Sequence, residues 1–254
     1  MDAARARAAR LTPPKRRTKA ATVLAKNVVR EIQRRGLQPG AKLLSEQRMV
    51  ERYGVARGSL REALRYLELH GVLRLKSGPG GGPVIEAPNG RHFAGTLALV
   101  LQMVAAPFRT IIETRWVVEP GMVALAAQRA KDADLQALRA SLDAMRGALR
   151  DAARFQEENR RFHDLLAVAS GNAVFRFLLP ALHWISDGAG VRYSEAERRR
   201  ILRAMRRLFA AIEARDPQSA ARLMERFFAA SLEYLDRRYP SVMLRRVSWS
   251  ESDL

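Results

Sequence analysis

The chain has 254 residues, of which 48% are hydrophobic, so it can build one large or two ordinary folded domains and is not a disordered chain. Lys and Arg number 45 against 26 Asp and Glu, and the net charge of +19 favours a polyanionic partner, either nucleic acid or an acidic membrane surface. The absence of cysteine excludes disulfides, zinc fingers and thiol nucleophiles.

No stretch of the sequence resembles a membrane span or a signal peptide. The longest apolar run, Thr96 to Phe108, is interrupted by Gln102 and Pro107, and a span needs about 20 apolar residues. No apolar segment follows the arginines near the N-terminus. We therefore expect a cytoplasmic protein without a membrane partner.

The positive charge is concentrated in the first third of the chain. Residues 1–88 hold 19 Lys and Arg against 7 Asp and Glu, a net charge of +12, whereas residues 89–254 carry +7. Residues 1–19 are rich in Ala and Arg, lack an apolar face and are predicted to form a basic disordered arm. The arm either strengthens nucleic-acid binding or is merely a solvated tail.

The next elements predict a winged helix-turn-helix at 20–87. Ser45 is a suitable N-cap for the second helix, and Gly54 can end it. Two apolar runs flank the Gly/Pro-rich loop 77–83, which indicates a β-hairpin. The apolar periodicity predicts three helices, at 23–35, 45–52 and 57–70.

After a breaker-rich linker at 88–91, the pattern is helical over 92–239, and 240–254 is left as a tail without an assigned role. Pro120 should kink or divide the second of these helices. The chain is thus predicted to be mainly α, with a winged helix-turn-helix followed by an antiparallel bundle of about seven helices. The predicted segments are 92–105, 108–130, 132–150, 153–170, 173–187, 195–214 and 217–238.

The third helix has the pattern of a DNA recognition helix. Its apolar residues share one face, and three arginines recur at every fourth position on the opposite face. Such a row of like charges is self-repelling, so an anionic partner explains it better than solvent alone, although a solvated face is the alternative. The candidate DNA contacts are Arg57, Gly58, Ser59, Arg61 and Arg65 on this helix, Gln47 on the preceding one, and Lys76, Ser77 and Gly78 in the wing.

Two stretches in this region resemble the GntR family of transcription regulators: Leu37 to Glu46, and Tyr53 to Arg65. Ile112 to Pro120, Arg161-Phe162-His163 and the following Ala169 to Asn172 resemble the all-helical FCD effector domain of the FadR-like subgroup. The resemblance implies a bacterial homodimer that binds a short palindrome and responds to a small molecule.

The sequence departs from the GntR pattern at two positions. Gln47 stands where many relatives have an arginine that contacts DNA, and Ala56 stands where Ser or Thr usually caps the recognition helix. The resemblance therefore carries over neither the arginine contact at position 47 nor the hydroxyl cap at position 56.

The resemblance also implies a divalent metal held by an Asp and three His in the bundle. The matching positions here are Asn159, His163, Met205 and Phe227, which retain one ligand of four, so we expect no metal cofactor. Either the cavity is filled and the domain only dimerises, or it admits an apolar effector such as an acyl chain or an aromatic acid. In the second case Arg115, Asn159 and His163 are the polar anchors.

Two of these polar anchors also have a purely structural interpretation. Arg115 can instead pair with Glu119 one turn away, and His163 can be a core histidine bonded to a neighbour. Trp184 is expected in the core.

The leading hypothesis is a sequence-specific, dimeric, effector-responsive repressor that binds double-stranded DNA. The alternative is a charge-driven, non-specific DNA-binding protein whose C-terminal domain only dimerises. An enzyme is not expected, because the sequence has no nucleophile elbow, zinc-protease helix, P-loop or dinucleotide fingerprint.

Overall fold

The computed structural model describes residues 15–78, 81–87 and 89–249, with side chains from residue 20 onward. It is mainly α, as predicted, and its contacts divide the chain into two compact units between residues 88 and 89. The described part contains one two-stranded sheet and eleven helices. Their bounds are α1 Lys15–Arg34, α2 Glu46–Tyr53, α3 Arg57–Leu69, β1 Leu73–Lys76, β2 Gly82–Ile85, α4 Gly90–Met103, α5 Arg109–Arg129, α6 Asp132–Gly147, α7 Ala152–Ala169, α8 Phe175–Asp187, α9 Glu195–Glu213, α10 Pro217–Arg238 and α11 Pro240–Leu244.

The first unit is built on three helices around one apolar core. The Ser45 hydroxyl accepts a hydrogen bond from the Arg48 amide and so caps α2. Gly54 ends the same helix in the left-handed conformation, with φ of 60°. These two local signals fix where α2 begins and where it ends. The buried side chains include Leu24, Val28, Met49, Leu60 and Leu64.

Two predictions for the start of the chain need correction. Because α1 begins at Lys15, residues 15–19 are helical and the predicted arm of 1–19 is too long; residues 1–14 lie outside the described part. The predicted first helix begins only at Val23, whose side chain is 52% exposed and lies outside the buried stripe of α1. The stripe is centred on Ala21, Leu24 and Val28, whose spacing of three and four residues puts Val23 off the buried face.

The wing is an antiparallel hairpin that is paired to the segment preceding α2. Leu73 lies opposite Ile85 and Lys76 opposite Gly82, and Lys42 forms a further bridge with Val84. A Cβ on Gly81 would lie 2.3 Å from the Lys76 carbonyl oxygen, so only glycine fits the hairpin tip at that position.

The second unit is a helical bundle in which α4–α10 correspond to the seven predicted helices. Helix α4 starts at Gly90, because the Asn89 side chain accepts a hydrogen bond from the Arg91 amide and caps it. The predicted linker 88–91 is therefore too long at its C-terminal end. Pro120 does not divide the second helix, since α5 continues through it and buries it.

The predicted tail is folded onto the bundle as far as residue 249. Residues 240–244 form α11, and Met243 and Val247 are buried. The Arg245 carbonyl accepts a hydrogen bond from the Phe108 amide at 2.8 Å, and the Val247 amide donates to the Ala106 carbonyl at 2.9 Å. We call residues 245–249 the C-terminal strap.

Among the described residues, no helix combines the length and the apolarity that a membrane span requires.

Candidate functional site

The structure places the apolar residues and the arginines of α3 on opposite sides of the helix, as the sequence pattern predicts. Leu60, Ala63, Leu64 and Leu67 of α3 are at most 3% exposed and form its contact with the core of the first unit. The row Arg57, Arg61 and Arg65 lies exposed on the other side of the helix. The fold thus presents a cationic ridge on a rigid helix, where it can enter a groove.

The three arginines differ in their ion pairs. Arg61 donates from Nε to Glu46 Oε2 at 3.0 Å, and both side chains are largely in water, so the pair adds little stability. Arg57 and Arg65 form no ion pair with any residue of the described part. Within the row, these two cations are the ones available to a phosphate or a guanine edge without breaking an existing bond.

The start of α3 combines close access with a missing cap. Gly58 is exposed, and a Cβ added there would meet no described atom within 4 Å, so none of the described residues requires a glycine at this position. Ser59 is half-buried beside it. Ala56 provides no side-chain cap, and exposed Gln47 has its amide 3.5 Å from Glu51 Oε1.

The wing places three more predicted contacts at one exposed end. Lys76, Ser77 and Gly78 are exposed where β1 leaves the sheet, and Gly78 has a φ of 89°. Glu68 Oε1 accepts a hydrogen bond from the Leu75 amide at 2.8 Å. This bond fixes the root of the wing to the recognition helix, so the two surfaces act as one body.

A hydrogen-bonded pair joins α1 to the end of α2 beneath this surface. Tyr53 donates its hydroxyl to Glu31 Oε2 at 2.5 Å, and Arg52 contacts the other oxygen of Glu31 at 3.1 Å. Burial and this bond raise the pKa of Tyr53 to about 12. The Tyr53 bond lowers the pKa of Glu31, against a smaller opposing effect of burial.

The second unit contains a buried polar cluster, which we define as Arg115, Glu119, His163, Asp164 and His183. The Glu119 carboxylate accepts from Arg115 Nε at 2.6 Å, His163 Nδ1 at 2.7 Å and His183 Nε2 at 3.2 Å. His183 Nδ1 is 2.7 Å from Asp164 Oδ1, and Arg115 also donates to the Ser186 hydroxyl at 3.2 Å. Three helices of the bundle, α5, α7 and α8, are joined through this cluster.

One ring nitrogen of the cluster, His163 Nε2, has no hydrogen-bond partner among the described residues. Burial raises the pKa of Glu119, but Arg115 and the two histidines outweigh it and hold that pKa well below its ordinary value. Burial lowers the pKa of His163 against the opposing effect of Glu119 and so favours the neutral ring, with Nδ1 2.7 Å from Glu119 Oε2. When the neutral ring donates from Nδ1, Nε2 is a buried acceptor without a hydrogen-bond partner among the described residues, as is Asn159 Oδ1 one turn earlier on α7.

The predicted effector residues gather around His163, but not all as expected. Phe227 lies with its ring centroid 6.2 Å from that of His163, and Met205 is buried in the same core. Arg115 has its carboxylate partner within the chain, which is the structural alternative foreseen for it, and His163 is likewise bonded to a neighbour.

Sequence reasoning missed three members of the cluster. The sequence pattern indicated Glu119 only as a possible partner of Arg115, and it assigned neither Asp164 nor His183 to the site. One signal was available for Glu119, because it follows Arg115 by four residues and precedes a proline on a buried helix.

The cluster is better suited to an ion-paired network than to a metal. Glu119, His163 and His183 offer ligand atoms within 4.8 Å of one another. However, two ligands of one divalent ion stand roughly 3 Å or more apart, given metal–ligand bonds of about 2.0–2.2 Å, whereas His163 Nδ1 and Glu119 Oε2 are at hydrogen-bonding distance. A cation would also face the Arg115 guanidinium. The four family positions themselves supply only one imidazole.

Comparison with known proteins identifies both units. The model of the gntR family of bacterial regulatory proteins matches residues 21–81, and the FCD domain model matches residues 110–230. An uncharacterized HTH-type transcriptional regulator of Mycobacterium tuberculosis, Rv0494, is 30% identical over 209 residues, which cover 79% of this chain and 83% of the relative. The chain belongs to the GntR family. Its two units match the gntR and FCD models, and the relatives that it matches are named as transcriptional regulators rather than enzymes.

Other GntR relatives agree with this assignment. The regulator LutR of Bacillus subtilis is 30% identical over 56% of this chain, and the repressor NanR of Cronobacter sakazakii is 30% identical over 66% of it. The matches span 64% and 65% of the length of these two relatives, just under two thirds. A solved GntR protein of Streptococcus agalactiae shares the fold, with a TM-score of 0.69, 24% identity and coverage of 84% of this chain and 99% of that one.

Proposed function

We propose that this GntR regulator is a homodimeric repressor that binds a short palindromic operator and is controlled by a small molecule held in its helical bundle. The observation that carries the proposal is the exposed pair Arg57 and Arg65, which have no acidic partner among the described residues and lie on a helix whose other face is fully buried. Guanidinium groups in this position can bond guanine edges and phosphates in a major groove.

Gly58 adds support for close contact with DNA. Gly58 lies in the first turn of α3, where glycine gives the helix no advantage over alanine, and none of its described neighbours requires one. A backbone approaching from outside supplies the reason, because a side chain at this exposed position would hold it away. The wing residues Lys76, Ser77 and Gly78 offer a second contact with phosphate or the minor groove.

The homodimer is supported by an apolar face on the bundle. Four large apolar side chains at the C-terminal end of α4 are between 41% and 79% exposed. Exposed apolar side chains concentrated in this way are typical of a protein interface, and a palindromic operator calls for two-fold symmetry. The four side chains are Leu99, Val100 and Met103 of α4 and its C-cap Val104.

The interface can be tested by introducing a charge. Val100→Glu together with Met103→Glu should convert the dimer to a monomer in light scattering after size exclusion. Leu244→Glu, at an equally exposed apolar residue outside this face, is the matched control and should leave the mass unchanged. A monomeric wild type would contradict the proposal.

The bundle offers a place for the effector beside the buried cluster. His163 Nε2 and Asn159 Oδ1 are unpartnered acceptors one turn apart, and Met205 and Phe227 supply apolar surroundings. Buried acceptors without partners are costly, so an effector that donates hydrogen bonds from a hydroxyl or amino group gains affinity there. We propose that no metal is bound at these positions, which elemental analysis of the purified protein would contradict if it found about one metal ion per chain.

Selection of bound DNA from a random pool at physiological salt tests the operator directly. The proposal predicts a short enriched palindrome, because two copies of α3 read two half-sites. Strong, salt-sensitive binding without enrichment would instead support a charge-driven, non-specific DNA-binding protein.

A further inference from the structure

A cavity of about 470 Å³ lies in the second unit between α7, α8 and the C-terminal strap. Its size falls in the range of small-molecule sites. It shares no residue with the buried polar cluster, although Arg160 and Asp187 on its wall adjoin Asn159 and Ser186 in sequence. It lies outside the set of residues that the sequence analysis assigned to the effector.

One wall of the cavity is apolar and aromatic. Trp184, Ile185 and Phe108 line it, with Ala98 of α4. Trp184 was expected in the core, but it lies at the cavity with the Arg160 guanidinium 5.4 Å and the Arg91 guanidinium 4.8 Å from its ring centroid. A ring held beside guanidinium groups provides a flat surface for a planar or extended apolar group.

The polar wall is cationic. Arg160, Arg245 and Arg246 line the cavity, and Asp187 is the one acidic residue among its lining residues in the described part. Asp187 is already neutralised, since it pairs with Arg160 at 3.0 Å and accepts from the Gln156 amide at 3.2 Å. Its pKa is raised because burial outweighs these bonds.

The two arginines of the strap, Arg245 and Arg246, differ in how their side chains are bonded. Arg245 donates to the Ala189 carbonyl, which fixes its side chain across the opening. The Arg246 side chain is exposed and has no hydrogen-bond or ion-pair partner among the described residues. Its position is set by the backbone bridge between Arg246 and Pro107. A guanidinium without an internal partner beside an apolar wall is suited to a carboxylate or a phosphate.

We propose that this cavity is a binding site for an amphipathic organic anion, whose apolar body packs on Trp184 and whose carboxylate or phosphate meets Arg246. The site does not depend on the proposed control of operator binding. It differs in chemistry from the position beside His163, which favours a hydrogen-bond donor. Because the ligand spans α8 and the strap, it holds residues 245–249 against the bundle.

The test uses the full-length chain and naphthalene-2-carboxylate as the probe. Trp116→Phe and Trp249→Phe leave Trp184 as the sole tryptophan, so quenching of its emission reports occupancy of this cavity. We expect saturable quenching, with binding about 10-fold tighter than for the neutral 2-naphthamide, which has a similar shape. The measurement is made without DNA, so it is independent of whether the operator proposal holds.

A pair of arginine variants distinguishes binding in this cavity from binding that is caused by the overall positive charge of the protein. Arg246→Ala should weaken binding of the carboxylate about 10-fold, whereas Arg203→Ala, an exposed arginine on α9 that does not line the cavity, should change it less than twofold. Because the Arg246 side chain has no partner among the described residues, the variant should fold normally, which thermal unfolding verifies.

Hydrogen exchange gives a second measurement. The probe should slow exchange of the Val247 amide, which bonds the Ala106 carbonyl and pins the strap. Absence of saturable quenching, equal affinity for the carboxylate and the amide, or equal effects of the Arg246 and Arg203 variants would each overturn the proposal.

Discussion

Arg57 and Arg65 in the first unit and Arg115 in the second unit have opposite environments. On α3, Arg57 and Arg65 stand in water without an acidic partner, and the helix tolerates their mutual repulsion. In the bundle, Arg115 is 12% exposed and its guanidinium is bound to a carboxylate that is completely buried. An unpaired cation costs little free energy on a protein surface and much in a core. A row of exposed, unpaired arginines is therefore available to an external partner, whereas a buried ion pair is part of the internal structure.

The largest expected effect comes from breaking the buried pair. Glu119→Gln keeps the shape of the side chain but leaves Arg115 without a counter-charge, and the free energy of unfolding should fall by about 3–5 kcal/mol. Urea titration measures the change. Glu225→Gln, at an exposed glutamate on α10, is the matched control and should cost less than about 0.5 kcal/mol. Similar midpoints for the two variants would contradict the assigned role of Glu119.

Removing the exposed cations should affect binding and not stability. Arg57→Ala or Arg65→Ala should weaken operator binding by about 10- to 100-fold, the equivalent of about 1–3 kcal/mol, while the unfolding midpoint stays within error. Arg30→Ala, an exposed arginine on α1, is the control. If all three variants bind the selected operator as the wild type does, α3 is not the reading helix.

A smaller effect is expected at the Tyr53–Glu31 hydrogen bond, which joins the end of α2 to α1. Tyr53→Phe removes the hydrogen bond to Glu31 and should cost about 1–2 kcal/mol at pH 8. The folded state raises the pKa of Tyr53 to about 12 from an ordinary value near 10, so it binds this proton more tightly than the unfolded chain does.

The stability from Tyr53 is therefore fully present below pH 10 and is lost as the pH rises towards 12. The difference between wild type and Tyr53→Phe in thermal midpoint should shrink over that window. A difference that grows with pH would reverse the assigned sign.

The smallest effect is expected at a helix cap. Ser45→Ala removes the acceptor for the Arg48 amide and should cost about 1 kcal/mol, measured by urea titration. Ala56→Ser makes the complementary change at the uncapped start of α3 and should add a fraction of that amount. No gain at position 56 would indicate that water already satisfies those amides.

The sequence by itself determined the local features of this protein. Ser45, Gly54 and the spacing of Leu60, Ala63 and Leu64 fix α2, the turn and the buried face of α3, because caps, turns and helical periodicity depend on neighbours within a few positions. The glycine-rich loop fixes the hairpin in the same way. The element order and the exposure of the recognition row were therefore predictable.

Only the tertiary structure decided which distant polar residues meet. Glu119, His163 and His183 come from three helices, and a one-turn change in how those helices pack would separate them, so no local pattern predicts their cluster. The same holds for the strap, whose Arg245 and Arg246 acquire a place only through backbone bonds to residues 106–108. Local periodicity fixes which face of a helix is buried, but side-chain packing across the bundle fixes what that face touches.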